Sequence, residues 1–275
     1  MDVLEVLRRW DVQPSKGAGQ NFLVDPVVLQ KIVAAADLTS DDVVLEVGAG
    51  VGNLTERLAL AAAHVVAVEM DRDLIPVLRS TLARFDNVTL VEGDILDLNP
   101  ADLLGDFIPP LRYKVVANLP YYITSAILRH LLETTYKPCQ MVLTMQWEVA
   151  KRIVARPGDM SLLAVSVQFY GQPQKLFRIK AGSFYPAPQV DSAVVRIDLY
   201  DTPPIPADDQ ADFFRVVKAG FSQRRKQLRN TLAAGLRMLP DEVETKLHAI
   251  GVDPQRRAQA LTIDEWVKIT EVLNP

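Results

Sequence analysis

Short apolar runs alternate with helix-patterned stretches through the first two-thirds of the chain. Runs at 43–47, 64–68, 88–91, 113–117 and 141–145 are each about as long as a buried strand. Helical spacing of apolar residues lies between them, at 55–61, 73–85 and 125–132. Strands separated by helices predict a mostly parallel sheet covered on both faces. Two later runs, 175–179 and 193–199, are expected to close that sheet as an antiparallel pair.

The pattern changes at Asp201-Thr202-Pro203-Pro204-Ile205-Pro206, which suits neither a helix nor a central strand and reads as a linker. Beyond it only helical periodicity remains, at 208–219, 224–236, 241–250 and 263–273. Pro240 and Asp241 suit a helix start, Thr262 and Glu265 have capping-box spacing, and Gly251 suits a helix end. The expected fold class is therefore α/β: a Rossmann-like domain over 1–200 and a small all-helical C-terminal domain over 207–275.

Composition narrows the function. With 275 residues the chain can bury a sizeable core. Its single cysteine, Cys139, allows no intrachain disulfide and argues against a structural zinc site. No metal is expected. Residues 1–12 are charged and helix-patterned, unlike a signal peptide, and no apolar run approaches the ~20 residues of a membrane helix. A cytoplasmic protein without a membrane partner is expected. The net charge of −4 disfavours nucleic acid as a partner, but its distribution does not. Between 213 and 240 there is no acid, while Arg224, Arg225, Lys226 and Arg229 crowd together. Between 160 and 190 there is again none, with Lys175, Arg178 and Lys180 present. A charge run is most often a solvated helix face, yet this length without balancing acids predicts RNA-phosphate contacts from Arg224, Arg225, Lys226 and Arg229.

Candidate chemistry sits at strand ends. Gly48, Gly50 and Gly52 follow the first strand and precede a helix, so the backbone can turn sharply and approach a ligand. The dinucleotide fingerprint is G-x-G-x-x-G; here Asn53 holds the last position, and G-x-G-x-G fits S-adenosylmethionine better than NAD. Taken alone the motif equally suits a structural turn. Glu69 ends the next strand, placed to accept ribose hydroxyls, and Asp94 follows the third, placed to accept from an adenine amino group. Either acid alone would be an ordinary strand-end or cap residue. Three such features at consecutive strand ends share the sheet edge where doubly wound folds bind ligands.

The fourth strand runs into Asn118-Leu119-Pro120-Tyr121. An Asn amide oxygen and the Leu119 carbonyl, fixed by the following proline, can both accept from one planar amino group, and Tyr121 can stack on the ring that carries it. An Asn-x-Pro turn is common by itself. Beside a cofactor loop it predicts methylation of a nucleobase amine.

At these residues the chain resembles the adenine-N6 dimethyltransferases of ribosomal RNA, whose N-[LI]-P-[YF] motif the 118–121 run matches. Four other stretches carry the resemblance. Lys16-Gly17-Ala18-Gly19-Gln20-Asn21-Phe22-Leu23 is similar to the G-Q-N-F-L signature, and residues 46–55 to the first cofactor motif. Residues 183–192 are similar to F-x-P-x-P-x-V-x-S, and Arg224-Arg225-Lys226-Gln227-Leu228-Arg229-Asn230 to R-R-K-x-L-R-N. The resemblance implies S-adenosylmethionine as cofactor, held by Asn21, Leu23, Gly48, Gly50, Glu69, Asp94 and Asn118. It implies catalysis by Asn118, Leu119 and Tyr121, with Phe184 stacking on the target adenine opposite Tyr121; without the resemblance Phe184 reads as a core aromatic. It also implies small-subunit rRNA within a pre-30S particle as substrate, dimethylated at two adjacent adenosines near its 3′ end, by a monomer. Tyr122 departs from the family pattern, which has a polar residue there. Two other readings are a ribosome-assembly factor without turnover and the sister enzymes that methylate large-subunit RNA. The intact glycines and Asn118 weigh against the first, and the R-R-K-x-L-R-N stretch against the second.

Overall fold

The computed structural model describes residues 1–15, 19–105, 107 and 112–273. Lys16, Gly17 and Ala18 of the N-terminal signature lie outside these. The strands are β1 (Phe22–Leu23), β2 (Val43–Val47), β3 (His64–Glu69), β4 (Val88–Glu92), β5 (Tyr113–Asn118), β6 (Gln140–Gln146), β7 (Gly171–Ile179), β8 (Phe184–Tyr185) and β9 (Ser192–Leu199). Seven form one sheet in the order β4-β3-β2-β5-β6-β9-β7, parallel from β4 through β6 and antiparallel between β6 and β9. All five residues of β2 are buried, as a strand covered on both faces requires. Every strand expected from the apolar pattern is present.

The order places β2 between β3 and β5, where successive connections leave in opposite directions. That is the topological switch point of a doubly wound sheet, the place where its ligand crevice opens. Register brings the carboxyl ends of the strands together, with Val47 opposite Val68, Glu69 opposite Glu92, and Asn118 opposite Thr144. The short β1 and β8 pair antiparallel, Leu23 against Phe184. This ties the N-terminal segment to the segment between β7 and β9.

The chain divides into two compact units, but not at one crossing. Met1–Ala150 and Pro173–Leu199 form the first, and Lys151–Gln172 with Tyr200–Pro275 form the second. The expected 1–200 span thus loses 151–172. The reason is packing within the second unit: Phe169 stacks on Phe213 at 4.4 Å between ring centroids, and the Gly158 and Met160 N–H groups donate to the Gln259 carbonyl.

In that unit the expected capping box forms. Thr262 N–H donates to Glu265 and Glu265 N–H to Thr262 Oγ1, at 2.8 and 3.1 Å, opening the helix Ile263–Leu273. The helix expected over 224–236 instead spans Leu228–Leu236. Its first N–H groups, at Leu228 and Arg229, donate to the carbonyls of Arg256 and Pro254, while 223–226 turn on a Lys226-to-Gln223 bond. Arg224, Arg225 and Lys226 lie in that exposed turn, not on the helix.

Candidate active site

The glycine loop leaves β2 with Gly48, Gly50 and Gly52 at φ of +75°, +62° and +87°, a left-handed course that favours glycine at each step. Its amides are bound to the neighbouring strand. Gly48 and Ala49 N–H donate to the Val68 carbonyl at 2.9 and 3.2 Å, and Gly50 N–H donates to Glu69 Oε2 at 2.8 Å. The other oxygen of Glu69 accepts from Asp71 N–H at 2.9 Å. Burial pushes the Glu69 carboxyl up from its ordinary range, while those backbone donors oppose the rise. Each oxygen retains a lone pair beyond its one partner. Asp94 follows β4, half-buried, and caps the next turn through Leu96 N–H at 3.0 Å.

These groups line a cavity of about 230 Å³ at the switch point. All the residues expected to hold the cofactor lie on its wall: Asn21, Leu23, Gly48, Gly50, Glu69, Asp94 and Asn118. Leu119 and Tyr121 lie there too. The N-terminal segment crosses the wall as a strap fastened by side chains. Asn118 Nδ2 donates to the Asn21 carbonyl at 3.1 Å, Asn53 Nδ2 to the Leu23 carbonyl at 2.6 Å, and Gln20 Nε2 to Asp71 Oδ2 at 2.5 Å.

Asn118 Oδ1 is buried and finds no hydrogen-bond partner among the described residues. A buried acceptor left without a donor is costly, on the order of 1–3 kcal/mol, and marks a place where a ligand's donor belongs. Leu119 follows, its N–H bonded to the Thr144 carbonyl at 3.1 Å. The Tyr121 hydroxyl meets Ser192 Oγ at 2.5 Å. Burial pushes that phenol up, and the serine contact opposes the rise.

Phe184 is placed elsewhere. It is 3 % exposed, belongs to the apolar core with Leu23 and Leu29, and is not on the cavity wall. Its pairing in β8 with Leu23 makes it a backing for the strap. Tyr122 does reach the wall, is exposed, and lies against Gly19, where an added Cβ would sit 3.2 Å from its ring.

The residues expected to bind RNA separate into two kinds. Arg224, Arg225 and Lys226 are exposed and make no side-chain bond among the described residues. Arg229 is ion-paired with Glu244 of the next helix, so its charge is already balanced.

One wall residue went unassigned from sequence. Glu46, in the middle of the apolar β2, is 1 % exposed, and its Oε2 has no partner among the described residues. Burial, with the Glu69 charge adding to it, pushes its carboxyl up to about 8. A lone acid inside V-V-L-E-V was the available signal.

A glycine turn, a strand-end acid and an orphan amide acceptor at the switch point of a doubly wound sheet define a nucleotide-cofactor methyltransferase site. Solved structures of that class share the fold. The 23S rRNA methyltransferase ErmE superposes with a TM-score of 0.72 at 28 % identity, over 93 % of this chain and 100 % of that one. A dimethyladenosine transferase from Plasmodium falciparum gives 0.74 at 24 % identity over 90 % and 95 %, a likeness of fold. The chain belongs to the ribosomal RNA adenine dimethylase family, whose model matches residues 13–275. It is 46 % identical over 265 residues to the ribosomal RNA small subunit methyltransferase A of Dehalococcoides mccartyi, covering 96 % of this chain and 90 % of that protein. To the protein of that name from Pelotomaculum thermopropionicum it is 42 % identical over 278 residues, covering 98 % and 94 %. The methyl donor is S-adenosylmethionine. The donor set fits it: the glycine turn leaves backbone room, and the acids Glu46 and Glu69 and the Asn118 amide bring polar atoms to the wall. No helix among the described residues is long and apolar enough to cross a membrane.

Proposed function

We propose that this enzyme dimethylates N6 of two adjacent adenosines near the 3′ end of small-subunit rRNA, within a pre-30S particle, acting as a cytoplasmic monomer. The observation that carries the chemistry is the buried, unpartnered Asn118 Oδ1 at the end of β5. The names and identities of the relatives support the small subunit as substrate. The 28 % likeness to a large-subunit enzyme is weaker than the 46 % identity to a small-subunit one.

An adenine amino nitrogen is a poor nucleophile because its lone pair is delocalised into the ring. Donating its two N–H groups to Asn118 Oδ1 and the Leu119 carbonyl favours a pyramidal nitrogen and frees the lone pair. S-adenosylmethionine, held on the wall that Gly48, Gly50, Glu69 and Asp94 line, would supply an electrophilic sulfonium methyl group whose leaving group is a neutral thioether. Asn118, Leu119 and Tyr121 therefore contribute alignment and exclusion of water. The methylated ammonium is acidic and loses its proton to solvent as the base leaves the pocket, so no side-chain base is needed. Tyr121 holds one face of the base, its ring steadied through Ser192. The base must leave its stack to reach this pocket, and Arg224, Arg225 and Lys226 hold the RNA by phosphate contacts. Gly48, Gly50, Glu69 and Asp94 hold the cofactor, with Asn21 and Leu23 closing over it on the strap.

The test is transfer of radiolabelled methyl to unmodified small-subunit particles, with large-subunit RNA as control and mass spectrometry of the digested product. Dimethyladenosine in small-subunit RNA is expected. Transfer to large-subunit RNA alone, or a product arrested at one methyl under excess enzyme, overturns the reading.

A further inference from the structure

A second basic cluster lies on the catalytic unit, on the side of Asn118 away from the cofactor. Trp147 directly follows β6, and its N–H donates to the Asp191 carbonyl at 2.9 Å. Asp191 immediately precedes β9, whose first residue, Ser192, holds the Tyr121 hydroxyl. Lys175 Nζ lies 4.1 Å from the centroid of a Trp147 ring, and the Arg178 guanidinium lies 4.9 Å from it. Both cations come from β7, and Lys180 follows exposed at its end.

Three cations, Lys175, Arg178 and Lys180, lie here with two acids, Asp191 and Glu148. Both Asp191 oxygens are engaged, Oδ1 by Ala181 N–H at 2.9 Å and Oδ2 by Arg178 at 2.7 Å. Glu148, next to Trp147, is also engaged within the protein. No acid occurs in the chain from 160 to 190. In sheet order the cofactor residues occupy the ends of β2, β3 and β4, the catalytic run the end of β5, and this cluster the edge formed by β6, β9 and β7. A target base entering beside Asn118 brings its own strand over that edge. Cations stacked on an indole keep their charge while their stems are already ordered, which lowers the entropic cost of gripping a phosphate.

We propose that Lys175, stacked over Trp147, and Lys180, exposed at the end of β7, bind the phosphates of the RNA strand next to the flipped adenosine, Arg178 being held in its pair with Asp191. This rests on the reading of the enzyme as an rRNA methyltransferase and adds the substrate-binding surface of the catalytic unit itself.

The test measures binding of a labelled, unmethylated transcript of the small-subunit rRNA 3′ domain to the full chain across a KCl series. Lys175→Ala/Lys180→Ala is expected to bind about tenfold more weakly and to flatten the log–log salt slope by ~1.4, at ~0.7 for each single-strand phosphate left without its cation. Trp147→Leu keeps every charge and is expected to weaken binding several-fold at the parental slope. Lys31→Ala/Arg79→Ala removes two exposed cations elsewhere on the same unit and should retain parental affinity. Parental affinity and slope in Lys175→Ala/Lys180→Ala overturn the inference, as does an equal loss in the Lys31/Arg79 pair. Calorimetry with S-adenosylmethionine and methyl transfer by the parent separate the two readings. A parent that neither binds cofactor nor methylates RNA refutes the function, and this surface with it. An active parent with an indifferent double variant refutes the surface alone.

Discussion

Asn118 Nδ2 donates to the main-chain carbonyl of Asn21, 3.1 Å away across the cavity wall. The bond decides which way the amide faces, because the reversed amide would set Oδ1 against a carbonyl oxygen. It leaves Oδ1 as the buried acceptor on the reaction side. One side chain thus fastens the strap and presents the acceptor.

Asn118→Ala is expected to lower methyl transfer by ~10²-fold or more, the range for loss of one preorganised hydrogen-bonding group in an active site. Asn118→Asp should be equally impaired, because a carboxylate cannot donate to Asn21. Single-turnover transfer at saturating cofactor checks the rate, and calorimetry reads separately the weaker cofactor binding expected once the strap loses its Asn118 bond. Near-parental turnover by Asn118→Ala would remove the role given to this residue.

Glu46 makes stability depend on pH in an unusual direction. Its carboxyl titrates near 8 in the folded chain against an ordinary 4.5. Between those values the folded state holds a proton that the unfolded state has lost, so stability falls as pH rises through the window and levels above about 8. Glu46→Gln should abolish that slope and gain on the order of a few kcal/mol over the parent at pH 8, with little difference at pH 4.5. Denaturant unfolding of the cofactor-free chain at several pH values measures it; parallel pH profiles for the two chains would refute it.

Glu69 joins two loops, accepting from Gly50 N–H and Asp71 N–H. Glu69→Ala is expected to weaken S-adenosylmethionine binding by roughly 1.5–3 kcal/mol, the worth of a hydrogen bond to a charged group. Glu69→Gln, which keeps one acceptor, should lose less. Titration calorimetry gives both values, and a Glu69→Ala chain with parental affinity contradicts the ribose role.

The exposed turn and the paired arginine should respond differently. Arg224→Glu/Arg225→Glu/Lys226→Glu is expected to weaken RNA binding and flatten its salt dependence. Arg229→Ala breaks the pair with Glu244 and should lower the melting temperature while leaving the salt slope near parental. A salt series on both variants decides the matter; a triple variant that binds like the parent makes the turn a solvated surface.

Much of this was legible along the chain because its causes are local. The all-buried β2 follows from five consecutive residues, and the left-handed glycine loop from Gly48, Gly50 and Gly52. The Thr262–Glu265 box follows from two residues three apart. Strand-end placement of Glu69, Asp94 and Asn118 follows once a parallel sheet is inferred, since its ligand edge is set by chain direction. Other features needed partners from distant segments. Phe184 reads as a core aromatic from its residue type, but its place behind the strap follows from the pairing of β8 with β1, far earlier in the chain. The helix begins at Leu228 because carbonyls at 254 and 256 take its first amides. Arg229 gives its charge to Glu244, beyond the acid-free stretch in which it stands. Segment 151–172 joins the helical unit because Phe169 stacks on Phe213 and the Gly158 and Met160 amides bond to the Gln259 carbonyl there. Backbone preference and periodicity act over a few residues and can be read in order. Charge pairing, burial and the direction of an amide depend on what the fold brings within hydrogen-bonding distance, and only the tertiary structure decides that.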